Sequence, residues 1–318
     1  MRQVTARAPT RIDFGGGWTD VPPYPSEQGG CVCNIAISRY ASVRLSTGAA
    51  GLDRADDGDG ALPAAALRHA RLDGVSIALD SDFPVGAGLG GSSAAGVAIA
   101  AAIARWRGES LERTALAERS REVEVEELGI AGGRQDHYAA AFGGALGLWF
   151  GESVTVRQLD LDSDVLARLE RRCVVGYTGR SRLSGETITA VLDAYRDREP
   201  RVTGALARMR TLAQEMIMAL ELGSLDDLGA LVDEHWEHQR SLHPTIETPE
   251  IERVLALARQ SGGIGGKALG ASGGGCVLVI AGEGREHDVR DSVAATSQLL
   301  PFSIDSDGVW CAADETAA

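Results

Sequence analysis

Glycine is distributed very unevenly along this chain. Forty of the 318 residues are glycine, and they concentrate at 15–17, 86–96 and 262–275. Lacking a Cβ, glycine marks places where backbone turns sharply or approaches a neighbour closely. Three such places, set between long stretches with helix and strand patterning, argue against a low-complexity tail and for a globular fold with backbone-lined loops. The middle run, GAGLGGSSAAG from Gly86, leads into an alanine-rich helical segment.

Bulk properties narrow the class further. The chain is 44% hydrophobic and 24% charged, typical of a soluble globular enzyme. A formal charge of −14 opposes a general nucleic-acid binder or a protein docked on an anionic membrane, but leaves room for a phosphorylated ligand in a local pocket. Cysteines 31, 33, 173, 276 and 311 form no CxxC pair, which predicts reduced thiols rather than a zinc site or disulfide framework. The opening MRQVTARAPTRIDF lacks an apolar signal-like core, and a cytoplasmic location is expected.

The patterning predicts a strand over 2–14, a loop over 15–30, strands within 31–45 and a polar surface excursion at 46–62. A strand over 74–84 follows, then the small-residue helix to about Arg107. Further helices are expected over 110–129, capped by Ser110, and 132–142, then strands at 145–150 and 153–159. Beyond 160–170 come a helix, a strand and a loop, then helices near 202–222, 225–240 and 248–261. The glycine-rich loop carrying Lys267, a strand at 276–282, a helix from 285 and a last strand near 301–311 complete the chain. Without regular βαβ alternation, the reading is α+β in two domains, 1–165 and 166–318, with a cleft between.

Gly86, Gly88 and Gly91 match GxGxxG, the dinucleotide fingerprint, and Glu109 sits near the spacing of its ribose-binding acid. The context is wrong for a nicotinamide dehydrogenase, because the run follows Pro84 and Glu109 follows a helix. Ser92 and Ser93 instead fall at a helix N-terminus, where unpaired N–H groups and the helix dipole favour anions. A serine hydroxyl there can ligate Mg²⁺ or bond a phosphate oxygen. An ordinary helix cap is compatible with that role. A Walker A box is absent, since Ser261 and Ala268 stand where it needs Gly and Ser or Thr. Lys267 is nevertheless the only lysine in a chain otherwise restricted to arginine. His235, His238 and His243 read as a partly exposed helix rather than a metal site.

Three motifs in order, APTRIDFGGGWTD, PVGAGLGGSSAAG and GGKALGASGGGC, resemble the GHMP kinase superfamily over nearly the whole chain. GGRQDHYAAAFGG (132–144), YTGRSRLSGE (177–186) and DEHWEHQRSLHP (233–244) are similar to its bacterial heptose 7-phosphate kinase branch. GGWTD is equally similar to its L-fucokinase branch. The resemblance implies a ribosomal protein S5 domain 2-like N-terminal domain and a ferredoxin-like C-terminal domain. The active site would lie in the cleft between them.

It also implies site roles. Gly86, Gly88, Leu89, Gly90, Gly91, Ser92, Ser93 and Ala94 would bind ATP. Asp136 would be the catalytic carboxylate, with Arg11 and Lys267 beside the reacting groups. Ser93 and Glu124 would hold Mg²⁺; Glu124 lies twelve residues before Asp136, though Glu126 and Glu127 are close enough to compete. Trp18, Thr19, Asp20, Gly133, Arg134, Tyr177, Arg180, Arg182 and Gly274 would line the acceptor site. His137 stands where the heptose kinase branch would carry glutamine. The expected reaction is phosphoryl transfer from ATP to an anomeric hydroxyl, giving a sugar 1-phosphate. A heptose 7-phosphate is the first acceptor, and L-fucose, another higher-carbon sugar or a cyclitol phosphate the alternative. A non-catalytic ATP- and sugar-binding regulator is the reading from another class. The protein is expected to act as a monomer or homodimer.

Overall fold

The protein is described here by a computed structural model covering residues 2–47, 61–130, 132–180 and 185–314; Arg182 and positions 48–60 of the acidic excursion lie outside these. The chain begins with β1 (Gln3–Gly15), α1 (Tyr24–Gln28), β2 (Gly30–Thr47), α2 (Ala61–His69) and β3 (Val75–Ser81). It continues through α3 (Gly91–Arg107) and α4 (Arg113–Glu122), which passes into a π-helical turn at Val123–Glu127. Then come α5 (Gln135–Phe142), β4 (Ala145–Phe150), β5 (Val154–Leu159), α6 (Ser163–Arg172) and β6 (Cys173–Tyr177). Helices α7 (Gly185–Arg196), α8 (Pro200–Glu221), α9 (Leu225–Ser241) and α10 (Pro249–Gln260) follow. The chain ends with β7 (Gly263–Ala268), β8 (Cys276–Ala281), α11 (Glu286–Ala294), β9 (Gln298–Leu299) and β10 (Trp310–Asp314).

Two antiparallel sheets result. One runs β10-β1-β2-β4-β5, with β3 also paired to β2; the other runs β7-β8-β6-β9. The sheets divide between β5 and β6, except that the last strand returns to pair with β1. The 18-residue β2 is one continuous strand. Its first half pairs with β4 and its second with β3, so it ties together everything before residue 160. Register shifts between Pro9 and Thr10 and between Asp13 and Gly15 bracket Arg11 and Asp13. Such bulges re-aim side chains at sheet rims.

The alanine-rich α3 is buried almost throughout, from Ser93 to Trp106. Small side chains let it lie close on the sheet formed by β1 and β2. It ends at Gly108 in the left-handed region (φ 74). Its first turn therefore points at the edge where the glycine run enters.

Several local expectations are corrected. The loop over 15–30 contains α1. Ser110 does not cap α4, which starts at Arg113 after Glu112. The last strand runs over Trp310–Asp314 rather than 301–311. Helix α7 was not anticipated, although Ile188, Val191, Leu192 and Tyr195 carry the i, i+3, i+4, i+7 spacing of a helical face. Lys267 lies in strand β7 rather than in a loop, because Gly263–Ala268 pairs with β8. His235 is completely buried rather than on a partly exposed face.

Candidate active site

A cleft of about 700 Å³ opens where β1, the glycine run before α3, the segment before α5 and the segment after β7 converge. Alternate residues of a strand share a face, and β1 uses this to bring both Arg11 and Asp13 to the cleft. Arg11 is 3% exposed. Its Nε donates to Asp136 Oδ1 at 2.8 Å, its Nη2 lies 2.7 Å from the same oxygen, and its Nη1 donates to the Gly88 carbonyl at 2.6 Å. One guanidinium thus fixes both the glycine run and the carboxylate at the start of α5. Asp136 remains partly open, with a quarter of its side chain exposed.

The glycine run curls in front of α3. Gly90 has φ +75, and a Cβ there would come 3.1 Å from Asp136 Oδ2. Gly88 also has φ +75, and its Cβ would come 2.5 Å from the Leu269 carbonyl. The third glycine-rich run therefore packs directly under the second, and Cys276 N donates to the Ala87 carbonyl at 2.8 Å. At the helix tip Ser92 Oγ donates to Glu124 Oε1 at 2.6 Å. Glu124 sits in the π-helical turn, a bulge type frequent at functional sites. Its other oxygen lies 3.1 Å from His137 Nε2, and His137 Nδ1 lies 2.9 Å from Ser120 Oγ. Ser93 Oγ lies 3.4 Å from the same Nε2.

Burial pushes the Glu124 carboxyl up, but the contacts with His137 and Ser92 outweigh it and hold the group below the ordinary carboxylate range. The carboxylate form is therefore favoured. Glu126 and Glu127 turn instead toward His69, and Glu127 toward Arg68 as well, on the outer side of α2. One carboxylate with two hydroxyls at a helix N-terminus is an oxygen donor set that fits Mg²⁺, which takes few protein ligands when phosphates supply the rest.

On the opposite wall Asp20 is 2% exposed, and its Oδ2 accepts from the Gln135 amide at 2.9 Å. Burial drives its pKa up to about 7, opposed by that amide and reinforced by the nearby charges of Asp136 and Asp13. Trp18, Gly133 and Gly274 also line the cleft.

Other expected residues are not among its lining residues. Thr19 is fully buried, its hydroxyl 2.6 Å from the Gly16 carbonyl and accepting from Cys31 N at 3.1 Å; it braces the loop. Ala94 continues the helix beneath Ser93. Arg134 reaches toward Glu118 at 4.0 Å. Tyr177 packs in the sheet opposite Cys276. Arg180 is 65% exposed at its side chain and pairs with Glu250 at 3.1 Å.

Lys267 is also absent from the lining. It is completely buried, with Nζ 3.1 Å from Asp13 Oδ2. Burial lowers its pKa and the Asp13 charge opposes that shift. Nearby, the buried His235 accepts from Gly16 N at 2.9 Å, and burial keeps it neutral by pulling its pKa well down. Sequence reasoning missed Asp13, Gln135 and the linking role of His137. Asp13 had a signal, since it shares the strand face of Arg11. His137 had one in its departure from glutamine.

Two family models match the chain: the GHMP kinases N terminal domain over residues 61–144 and the GHMP kinases C terminal domain over 216–297. The chain belongs to the GHMP kinases. The N-terminal match contains the glycine run, Glu124 and Asp136, and the C-terminal match contains Lys267. This GHMP kinase is 26% identical to D-glycero-alpha-D-manno-heptose 7-phosphate kinase of Campylobacter jejuni, over 97% of this chain and 98% of that protein. It is also 26% identical to L-fucokinase/L-fucose-1-P guanylyltransferase of Bacteroides fragilis, covering 87% of this chain but 34% of that protein. A solved D-glycero-D-manno-heptose 1-phosphate kinase from Bacteroides thetaiotaomicron shares the fold, with a TM-score of 0.76 at 24% identity over 97% of this chain and 98% of that one. As a GHMP kinase the protein is a phosphotransferase, in a family that uses ATP as phosphate donor. The GxGxxG pattern is thus part of a kinase rather than of a nicotinamide site. Among the described residues no helix is long and apolar enough to cross a membrane.

Proposed function

We propose that the protein is an ATP- and Mg²⁺-dependent sugar kinase that phosphorylates an anomeric hydroxyl to give a sugar 1-phosphate. A heptose 7-phosphate is the first acceptor reading, supported by similarity spanning both chains end to end. The observation that carries the kinase reading is the convergence, in one cleft, of the α3 N-terminus, Glu124 and the Arg11-clamped Asp136. A second acceptor reading, an unphosphorylated L-fucose-like sugar, is favoured by Asp13 and Asp20 in the lining, because carboxyl oxygens accept hydrogen bonds from sugar hydroxyls.

In this reading the unpaired amides of the glycine run and the first turn of α3 hold the nucleotide phosphates. Ser93 and Glu124 would hold Mg²⁺, which supplies neutralisation of phosphate charge when bound. Asp136 orients the acceptor hydroxyl and takes its proton. Arg11 fixes the Asp136 carboxylate through Oδ1, so that its second oxygen is left for the acceptor. Phosphoryl transfer asks mainly for positioning and charge neutralisation, and these groups provide both.

The test is ATP turnover by the full chain against free and terminally phosphorylated sugars, with phosphorus NMR assignment of the product. Turnover of a heptose 7-phosphate to an anomeric phosphate supports the first acceptor. Preference for free fucose selects the second. ATP binding with no turnover of any sugar returns the regulator reading.

A further inference from the structure

Asp13 lines the cleft, and its partner Lys267 does not. Lys267 reaches it from β7, in the other sheet, and takes Oδ2 at 3.1 Å. Among the described residues Oδ1 has no hydrogen-bond partner although it is shielded from solvent. A buried acceptor left unsatisfied costs about 1–3 kcal/mol, more when charged. Nature rarely leaves such a group idle. A second unsatisfied polar atom belongs to the same wall: the indole Nε1 of Trp18, 7% exposed and also lining the cleft, has no acceptor among the described residues. Trp18 holds a left-handed backbone (φ 79), an unfavourable conformation for a bulky residue. Gly17 lies between the two, and any Cβ there would come 2.5 Å from Asp13 Oδ2. Beside the cleft lie one acceptor and one donor without a partner among the described residues, a pattern complementary to hydroxyls, which both donate and accept.

We propose that Asp13 binds the acceptor, its Oδ1 taking a hydrogen bond from a ring or side-chain hydroxyl of a polyhydroxylated substrate while Lys267 holds Oδ2 from behind. This rests on the sugar kinase reading and adds to it a specificity determinant. Lys267 is then a positioning residue rather than a group that touches phosphate. Its ammonium holds Oδ2 from behind, so that Oδ1 is the oxygen left without a partner for a hydroxyl of the acceptor.

The experiment compares the wild-type chain, Asp13→Asn and the neutral pair Asp13→Asn with Lys267→Met. The pair guards against misfolding caused by a buried ammonium without a counter-charge. L-fucose, D-mannose, D-glycero-D-manno-heptose and its 7-phosphate serve as acceptors, followed by monodeoxy analogues of whichever is turned over fastest. A lost hydrogen bond to a charged group predicts an acceptor KM raised at least about tenfold in both variants, with ATP KM within about twofold. One monodeoxy analogue should cost wild type a similar factor and cost the variants nothing. An unchanged acceptor KM in a folded variant, or the same response to every analogue in wild type and variants, overturns the proposal and leaves the kinase reading standing. If no sugar is turned over, the kinase reading fails separately. Titration calorimetry of the same sugars without nucleotide then decides for Asp13: binding lost in the variants supports it, and binding absent or unchanged overturns it.

Discussion

Two ion pairs leave β1 two residues apart, and their surroundings are opposite. Arg11 meets an Asp136 side chain that is 25% exposed and faces the cleft, whereas Lys267 and Asp13 are 0% and 4% exposed. In the open pair the guanidinium fork fixes one carboxylate oxygen, and the side chain stays partly exposed in the cleft. The sealed pair has lost its water, so its geometry is rigid and each charge depends on the other. A buried pair adds little net stability over an apolar substitute, but breaking it from one side is costly. Residue type explains part of this. A guanidinium has donors enough to join Asp136 and the Gly88 carbonyl at once, while an ammonium on a thin stem fits a closed space behind a carboxylate.

The comparison can be broken most directly at its open end. Asp136→Asn should lower kcat by about 10²–10⁴-fold, the range for a lost general base, with ATP affinity nearly unchanged. Single-turnover kinetics with nucleotide titration check this, and wild-type turnover would remove Asp136 from the chemistry. At the sealed end Lys267→Met should destabilise the fold by about 3–5 kcal/mol, because Asp13 stays buried without its counter-charge. Denaturant unfolding measures it, and adding Asp13→Asn should restore much of the loss.

Asp20 sharpens the same contrast through pH. Its carboxyl keeps a proton up to about 7 in the folded state against 3.8 as the ordinary value, so the native protein binds more protons between those limits. Stability contributed by this group is present at low pH and lost as pH rises from about 4 to about 7, by at most about 4 kcal/mol. Asp20→Asn should flatten that slope in unfolding curves taken across the window. The smallest effect is expected at Arg180, whose exposed pair with Glu250 lies off the cleft lining. Arg180→Ala should leave the unfolding midpoint almost in place, since exposed pairs are screened. A raised KM for a terminally phosphorylated sugar alone would return Arg180 to the acceptor site.

Much of the site was legible before the fold. Gly86, Gly88, Gly90, Gly91, Ser92 and Ser93 could be placed at a helix tip because glycine followed by small polar residues and an alanine-rich run is a local signature. Asp136 and Glu124 were nominated by resemblance and spacing, and the structure brings them to one cleft. Thr19 and Arg134 lie off the lining because neighbours in sequence can point in opposite directions: Trp18 and Gly133 line the cleft while Thr19 and Arg134 turn from it. Lys267 misled for another reason. Its flanking glycines imitate a loop, but they are there because backbones crowd β7: a Cβ at Gly265 would come 1.9 Å from the Gly229 carbonyl.

The sequence by itself determined the local features: the long helices after residue 200, where backbone must run without side chains, and which acidic residues were available. Those follow from propensity and sterics over a few neighbouring residues. Only the tertiary structure decided which of three neighbouring glutamates faces Ser92, and that the single lysine meets Asp13 across 254 positions of chain. Partner choice at that separation depends on how two sheets pack and which charges they seal from water, and no local pattern encodes it.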